Sequence, residues 1–259
     1  KIGDAPAYFQ RLAPSFTVSL QPWQEQLLFL RLMYKSTFRM PTFNDLYYYR
    51  LGNRSLRPEK ANEYNMGITW SRSFSSFLNY LSVTVDGYYN DVTDKIVAFP
   101  TTYAWKMANY GKVHVTGMDA TLAAAASLGK NMVLVVSGGY TWQKAIDLTD
   151  ATSKSYKDQL PYTPKHSGNV SAVLEMPWVN VGYSIVGVSE RYSMSQNIPE
   201  NRIDGYMEHT VSLSRNFSFR HCKLRLQAEI INLTDTQYDV IKYYPMPGRS
   251  WRLTGTIEF

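Results

Sequence analysis

One cysteine, Cys222, stands alone among 259 residues, so no internal disulfide can form. In an alternating strand a lone thiol serves packing. The histidines are few as well: His114, His166, His209 and His221 lie far apart, with no H-E-x-x-H or Cys-x-x-Cys beside them, which gives no metal-binding motif. No G-x-S-x-G, P-loop or dinucleotide-binding run occurs, so no catalytic residues are assigned and no cofactor is expected. Unbroken apolar runs stop at five residues, as in 122–126, whereas a transmembrane helix needs about 20. That shortage excludes helical spans and leaves β-barrels untouched, because a barrel strand shows only alternate residues to lipid. Basic residues never form a run longer than two, and the charge of +6 (27 Lys plus Arg over 21 Asp plus Glu) is scattered; no phosphate-tracking stripe and no nucleic-acid partner is expected. Asp147, Asp150 and Asp158 have oxygen chemistry suited to Ca²⁺, but their spacing is not that of an EF-hand and a solvated loop is the simpler reading.

What is abundant is tyrosine, 20 residues, with 6 Trp, in a chain that is 14% aromatic. Such rings favour membrane interfaces and binding surfaces. The dominant period is two. Leu28, Leu30, Leu32 and Tyr34 alternate with Phe29, Arg31, Met33 and Lys35; Val83, Val85, Gly87 and Tyr89 with Thr84, Asp86, Tyr88 and Asn90; and Leu224, Leu226, Ala228 and Ile230 with Arg225, Gln227 and Glu229. Further strands are expected at 16–20, 63–70, 113–123, 133–142, 168–175, 179–188 and 209–216. A last one, with Leu253, Gly255, Ile257 and Phe259 against Arg252, Thr254, Thr256 and Glu258, reaches the end of the chain and reads as a closing strand. That makes about eleven. Tight breaks such as 128–131 and 176–178 alternate with long polar ones at 41–62, 145–165 and 189–205, the asymmetry expected of a membrane barrel. A β-sandwich can also carry long loops at one end, so a soluble sandwich binding module and a small closed outer-membrane barrel, porin or enzyme, stay open on these grounds.

Two motifs in order narrow the choice. The first runs Phe38-Arg39-Met40-Pro41-Thr42-Phe43-Asn44-Asp45-Leu46-Tyr47, and the second Gly52-Asn53-Arg54-Ser55-Leu56-Arg57-Pro58-Glu59, continuing to Glu63, Tyr64 and Gly67. Together they resemble the TonB-dependent outer-membrane receptors. Similar matches follow at Tyr88-Tyr89-Asn90-Asp91-Val92 with Asp94 and Ile96, at Tyr110-Gly111-Lys112, at Leu160-Pro161 with Pro164 and His166, at Ile231-Asn232-Leu233-Thr234-Asp235, and at Pro245-Met246-Pro247-Gly248-Arg249 with the terminal Phe259. The resemblance implies an all-β, transmembrane, antiparallel up-and-down β-barrel of which residues 1–259 form about the C-terminal half of a 22-stranded barrel. The plug domain and N-terminal barrel strands would lie outside this chain, which is expected to be a C-terminal fragment. It begins at Lys1 with no signal peptide, as a mature or trimmed secreted product would, and equally a cytosolic one.

The same resemblance implies active import of a scarce large ligand (a ferric siderophore, haem or cobalamin) across the outer membrane of a Gram-negative bacterium. Expected partners are the plug and N-terminal half, TonB through the missing N-terminal part, outer-membrane lipid or lipopolysaccharide, the nutrient ligand and a surface lipoprotein. No histidine lies in 40–56, where some haem receptors of the family carry one. Tyr47, Tyr48, Tyr49 and Arg50 are the ligand-facing candidates; on extended chain the three rings could not share a face. Alternation plus resemblance puts Arg31, Lys35, Asp86, Asn90, Arg225, Gln227, Glu229, Arg252 and Glu258 toward the lumen or plug. Structural roles are implied for Arg39, Pro41, Gly52, Asn53, Pro58, Glu59, Asn232, Pro247, Gly248 and Phe259. Gly52 is expected at positive φ and Pro58 as a stiff restart before a strand near Glu63, while Arg39, Arg57 and Glu59 are read either as lumen or plug braces or as solvated charges. Tyr156, Tyr162, Tyr192, Tyr206, Tyr238, Tyr243 and Tyr244, near strand ends, are expected in a membrane-interface girdle.

Overall fold

The computed structural model describes residues 10–23, 27–75, 77–100, 105–220 and 222–258, so His221 and Phe259 lie outside the described residues. Its main body is one antiparallel sheet of eleven strands. In chain order these are β1 (Ser15–Leu20), β2 (Leu27–Arg39), β3 (Glu59–Ser73), β4 (Leu78–Pro100), β5 (Trp105–Gly129), β6 (Met132–Asp147), β7 (His166–Glu175) and β8 (Asn180–Val188). After two-residue β9 (Arg191–Tyr192) and β10 (Arg202–Ile203) come β11 (Tyr206–Ser218) and β12 (Lys223–Ile231). The small hairpin β13 (Asp239–Ile241) with β14 (Tyr244–Pro245) precedes β15 (Ser250–Glu258). Every main-sheet strand pairs with its sequence neighbour in that sheet, an up-and-down meander. Among the described residues β1 pairs only with β2 and β15 only with β12, which leaves two free edges.

Register sorts the side chains into two faces. Arg31 opposes Gly67, Gly67 opposes Asp86, and the row continues through Asp119, Thr141 and Ser167. At the other edge Ser212 opposes Glu229 and Glu229 opposes Arg252. One residue away, the alternate rows are apolar: Leu30, Ile68, Val85 and Ala120, then Leu213, Ala228 and Leu253. Among the described residues nothing covers this apolar face, with Met66 67%, Trp251 75% and Leu253 81% exposed. A soluble sandwich would bury it against a second sheet. No helix of the described residues is long and apolar enough to cross a membrane.

The connections sort too. The connections β3–β4, β5–β6, β7–β8 and β11–β12 are at one end of the strands, and segments 40–58, 148–165, 189–205 and 232–249 at the other. β4 and β5 continue past their neighbours at the long-loop end, where their polar-face residues meet the loops. Ala61, Val92, Val113, Val115 and Ala145 pack with Leu160 of the 148–165 segment, and Ile96 and Met107 pack with Leu56, Leu46 and Leu51 of the 40–58 segment. The buried core therefore sits at one rim of the sheet. Loop leucines fold inward over it.

The outward aromatic band differs from the one expected. Tyr34, Tyr64 and Tyr89 share one register row, with ring centroids 5.1 and 6.2 Å apart. On the same face Tyr140 sits four residues nearer the short-turn end than that row, and Tyr183 four residues nearer again, sharing its own row with Trp251. Of the tyrosines expected in the band, Tyr206 lies on the polar face and stacks on Tyr238 at 3.9 Å, and Tyr162 packs on Trp105 at 5.5 Å. Tyr156, Tyr192, Tyr243 and Tyr244 belong to the long-loop segments. Proximity to a strand end does not say on which side of the rim a ring falls.

Candidate functional site: the loop-covered mouth of the polar face

Segment 40–58 is fixed by its own motif. Thr42 caps the short helix α1 (Phe43–Tyr47), its hydroxyl accepting from the Asp45 amide while the Asp45 carboxylate accepts from the Thr42 amide. Asp45 also takes a 2.9 Å ion pair from Arg39, whose other nitrogen lies 3.8 Å from Glu59. Burial alone would raise the Asp45 pKa; the Thr42 hydrogen bonds and the Arg39 charge outweigh it and hold the carboxyl below its ordinary 3.8. Pro41 immediately precedes the cap.

The second motif ties this segment to the β4–β5 extension. Asn53 donates to the Met107 carbonyl at 3.0 Å, and Glu59 accepts from the Ile96 amide at 3.0 Å. Arg57 donates to Asp94 through Nε at 2.8 Å, while its backbone exchanges bonds with Asn109. Arg39, Arg57 and Glu59 thus have partners within the rim and are not merely solvated charges. Gly52 is not at positive φ; Arg50 is, at 62°. Glycine is required at 52 because a Cβ there would come within 2.8 Å of the Leu46 carbonyl and 2.7 Å of the Tyr48 nitrogen. Pro58 precedes a strand that starts at Glu59, four residues earlier than the alternation implied, because the pairing with β2 extends to Arg39.

The remaining long segments latch onto one another. Tyr110 of β5 bonds Ser195 at 2.8 Å, and Asn197 clasps Asp158 and Gln159. Buried Arg191 donates to the carbonyls of Asp239 and Val240 at 2.6 and 3.0 Å. Asn232, fully buried at φ 54°, closes the last segment by exchanging bonds with the Thr236 backbone and donating to the Pro247 carbonyl at 3.5 Å. Gly248 leaves room for Asp235, which caps the Arg249 amide at 2.8 Å. Tyr238 donates to Glu208 at 2.6 Å, and burial together with that carboxylate pushes the phenol well above its ordinary range. These latches were invisible in the sequence apart from the quoted Leu160, Asn232 and Gly248 motifs.

Tyr47, Tyr48 and Tyr49 do stand together on this rim, 50%, 60% and 79% exposed. They are not on extended chain: Tyr47 ends α1, its ring tilted against Phe43 at 5.0 Å and under Arg54 at 5.2 Å, while Arg50 lies over Tyr49 at 5.2 Å. The result is an accessible surface of alternating rings and guanidinium groups.

Below the mouth, register places Arg31, Lys35, Asp86, Asn90, Arg225, Gln227, Glu229, Arg252 and Glu258 on the one polar face. Arg31 pairs with Asp86 at 2.8 Å by passing over Gly67, where any Cβ would overlap Asp86. Tyr88 likewise lies over Gly117 to reach Gln143 at 3.3 Å. Arg252 pairs with Glu229 at 2.6 Å and Arg225 donates to Gln227 at 3.1 Å. Asn90 keeps a buried Oδ1 with no partner among the described residues.

Asp147, Asp150 and Asp158 do not converge. Asp147 accepts from Thr149 and Ser155, Asp150 from Thr152, and Asp158 from Asn197. Among the described residues no three His, Cys, Asp or Glu side chains form a metal-binding group.

Comparison with known proteins bears on the whole assembly. The family model for TonB dependent receptor-like β-barrels matches residues 3–233. The vitamin B12 transporter BtuB of Photobacterium profundum is 26% identical over 230 residues, covering 86% of this chain and 34% of that protein. The unliganded ferric citrate transporter FecA superposes with a TM-score of 0.71 at 16% identity, over 94% of this chain and 37% of that one. The siderophore receptor PiuA from Acinetobacter baumannii gives 0.69 at 19% identity, over 94% and 35%. The chain spans about a third of the length of the curated relatives it matches. Proteins of this family are transporters rather than enzymes and are associated with the Gram-negative outer membrane. An eleven-strand meander with one polar and one bare apolar face, together with that match, means that the chain belongs to the TonB-dependent receptor-like β-barrel family.

Proposed function

We propose that residues 1–259 supply the C-terminal half of a roughly 22-stranded outer-membrane barrel and part of the capture surface of an active importer energised through TonB. The observation that carries this reading is the division of eleven strands into an apolar face and a polar face, with, among the described residues, no cover on the apolar face and a free edge at each end. A barrel wall needs both faces, and a half-wall needs both edges. The polar face meets a plug supplied by the missing portion: its ion pairs and the unpartnered Asn90 oxygen suit a removable polar domain better than a fixed apolar core.

The cargo is a scarce large nutrient, captured by the loop rim with Tyr47, Tyr48, Tyr49 and Arg50 among its contacts. Relatives named for vitamin B12 and for ferric chelates favour cobalamin or a ferric siderophore; haem has less support, since 40–56 offers no histidine. Two measurements on the intact receptor test this. Cysteines at Val85 and Leu226 should meet a lipid-soluble probe, and those at Asp86 and Gln227 a water-soluble one; the reverse pattern overturns the barrel orientation. Binding of cobalamin, haem and ferric chelates should show sub-micromolar affinity for one class, and affinity for none would sink the importer reading.

A further inference from the structure

We infer that this part of the wall grips the plug on one side only. The short-turn half of β12 and β15 is a fixed seat for a carboxylate-bearing segment of the plug, and the polar face of β3–β8 is the side from which the plug withdraws to admit cargo. The claim rests on the polar face being a plug contact, as proposed above, and adds an asymmetry between two sectors of that face.

On β3–β8 the polar face loses its charges below the row of Gly67, Asp86 and Asp119. The next row toward the short turns runs Thr69, Thr84, Thr121, Gly139, Asn169 and Val186. The one after it runs Ser71, Ser82, Ala123, Ser137, Ser171 and Ser184. Not until Glu175, at the end of β7, does a charge return. Hydroxyls in these rows already bond one another, Thr69 with Thr84 at 3.1 Å and Ser71 with Ser82 at 2.7 Å. The carboxylates above them are engaged within the wall as well: Asp86 pairs with Arg31 at 2.8 Å, and Asp119 accepts from Thr141 at 2.6 Å. Short neutral groups offer a neighbour hydrogen bonds little better than those of water, so this sector holds the plug weakly.

β12 and β15 are the reverse. Level with Gly182 and Ser212, their polar face begins at Glu229 and Arg252, then continues through Gln227 and Thr254, Arg225 and Thr256, and Lys223 and Glu258 to the short-turn end. A recess of about 610 Å³ lies over the last three pairs, flanked by Asn216 of β11. Arg252 is neutralised by Glu229 at 2.6 Å. Arg225 reaches only the neutral Gln227, and Lys223 and Glu258 make no ion pair among the described residues. The recess therefore sets the cations of Lys223 and Arg225 against the single carboxylate of Glu258. That balance complements carboxylate side chains, to which each cation offers a charge-assisted hydrogen bond, about twice as strong as a neutral one. A pull from the periplasm parts the weaker contact first, so the opening forms along β3–β8 while the seat holds.

The test follows release of the plug by urea in the purified intact receptor, with barrel integrity checked by electrophoretic mobility. In a Cys222→Ser background, single cysteines replace Ser137, Ser171, Thr254 or Thr256, and their reaction with a water-soluble maleimide is measured as urea is raised. Half-maximal labelling at Ser137 and Ser171 should come about 1 M below that at Thr254 and Thr256. In the double variant Lys223→Gln, Arg225→Gln, the midpoint at Thr254 and Thr256 should fall to that of Ser137, which itself stays in place. A common midpoint in the wild type, the reverse order, or a Thr254 midpoint unmoved by the double variant overturns the one-sided grip. Should the double variant not assemble, Arg225→Gln alone should give about half the shift, and no shift overturns the seat. Full labelling at all four positions without urea means that no plug covers this face, and overturns the plug reading on which the inference rests.

Discussion

Individual side chains in this sheet work through gaps left by their neighbours. Arg31 and Asp86 sit on strands that do not touch, and they meet only because Gly67 between them has no side chain. Gly67→Ala should break the pair. Because both partners are about 40% exposed here, the cost should be about 1 kcal/mol or less, read as a small fall in the unfolding midpoint of the intact receptor that Asp86→Asn does not add to. A non-additive double variant is the required result; full additivity would show that the two side chains act independently. Asn232 is a different case. It is fully buried at positive φ with both ends of its amide engaged, so Asn232→Ala strands buried backbone groups and keeps an unfavourable backbone conformation. The expected loss is about 2–3 kcal/mol, measurable by denaturant titration, and a loss under 0.5 kcal/mol would contradict the clamp. Alternation put Arg31 and Asp86 on one face from the sequence. Their partnership was not legible, because it depends on a residue with no side chain in a third strand.

Whole strands were easier to read than the segments joining them. Period-two alternation holds wherever one face meets apolar surroundings and the other polar ones, and the eleven expected strands match the eleven of the main sheet. Their ends did not match. Beyond the apolar band β4 and β5 run on to Pro100 and from Trp105, where loop leucines cover Ile96 and Met107 and the alternation that marks a strand disappears. Segment 40–58 hid a helix for a similar reason: five residues carry no helical period, and only the Thr42 to Asp45 cap marks it. That cap makes the segment acid-sensitive. The folded-state pKa of Asp45 lies below its unfolded 3.8, so its stabilisation is complete above pH 3.8 and is lost as pH falls through the folded value. Hydrogen exchange at the Thr42 and Asp45 amides should accelerate over that acid window in the wild type and be fast at every pH in Asp45→Asn. Thr42→Ala should loosen the same turn by about 1 kcal/mol. If the Asp45→Asn profile followed the wild type through the acid window, another carboxylate would be the switch.

Among the described residues the main sheet has two free edges, and that has physical consequences. A strand edge exposes unpaired N–H and C=O groups, and in a bilayer no water is available to satisfy them. Here the described residues leave both β1 and β15 unpaired on one side, while β15 carries Trp251, Leu253 and Ile257 on an uncovered face. β1 has no charge and no proline along Ser15–Leu20, and β15 pairs regularly with β12 over its whole length without a bulge, its charges Arg252 and Glu258 lying on the polar face. Those edges make sense as joints with further strands of the same wall. Produced alone, residues 1–259 should therefore aggregate, or stay protease-sensitive in detergent. Produced with the upstream portion of its receptor as a second polypeptide, the chain should yield a protease-resistant species whose electrophoretic mobility changes on heating. The break between the two pieces matters little if it falls in a surface loop, because the interstrand hydrogen bonds, not the covalent link, hold a barrel closed. A chain that became protease-resistant on its own, with no gain from the upstream portion, would mean that β1 and β15 find each other and that the small closed barrel is the right description.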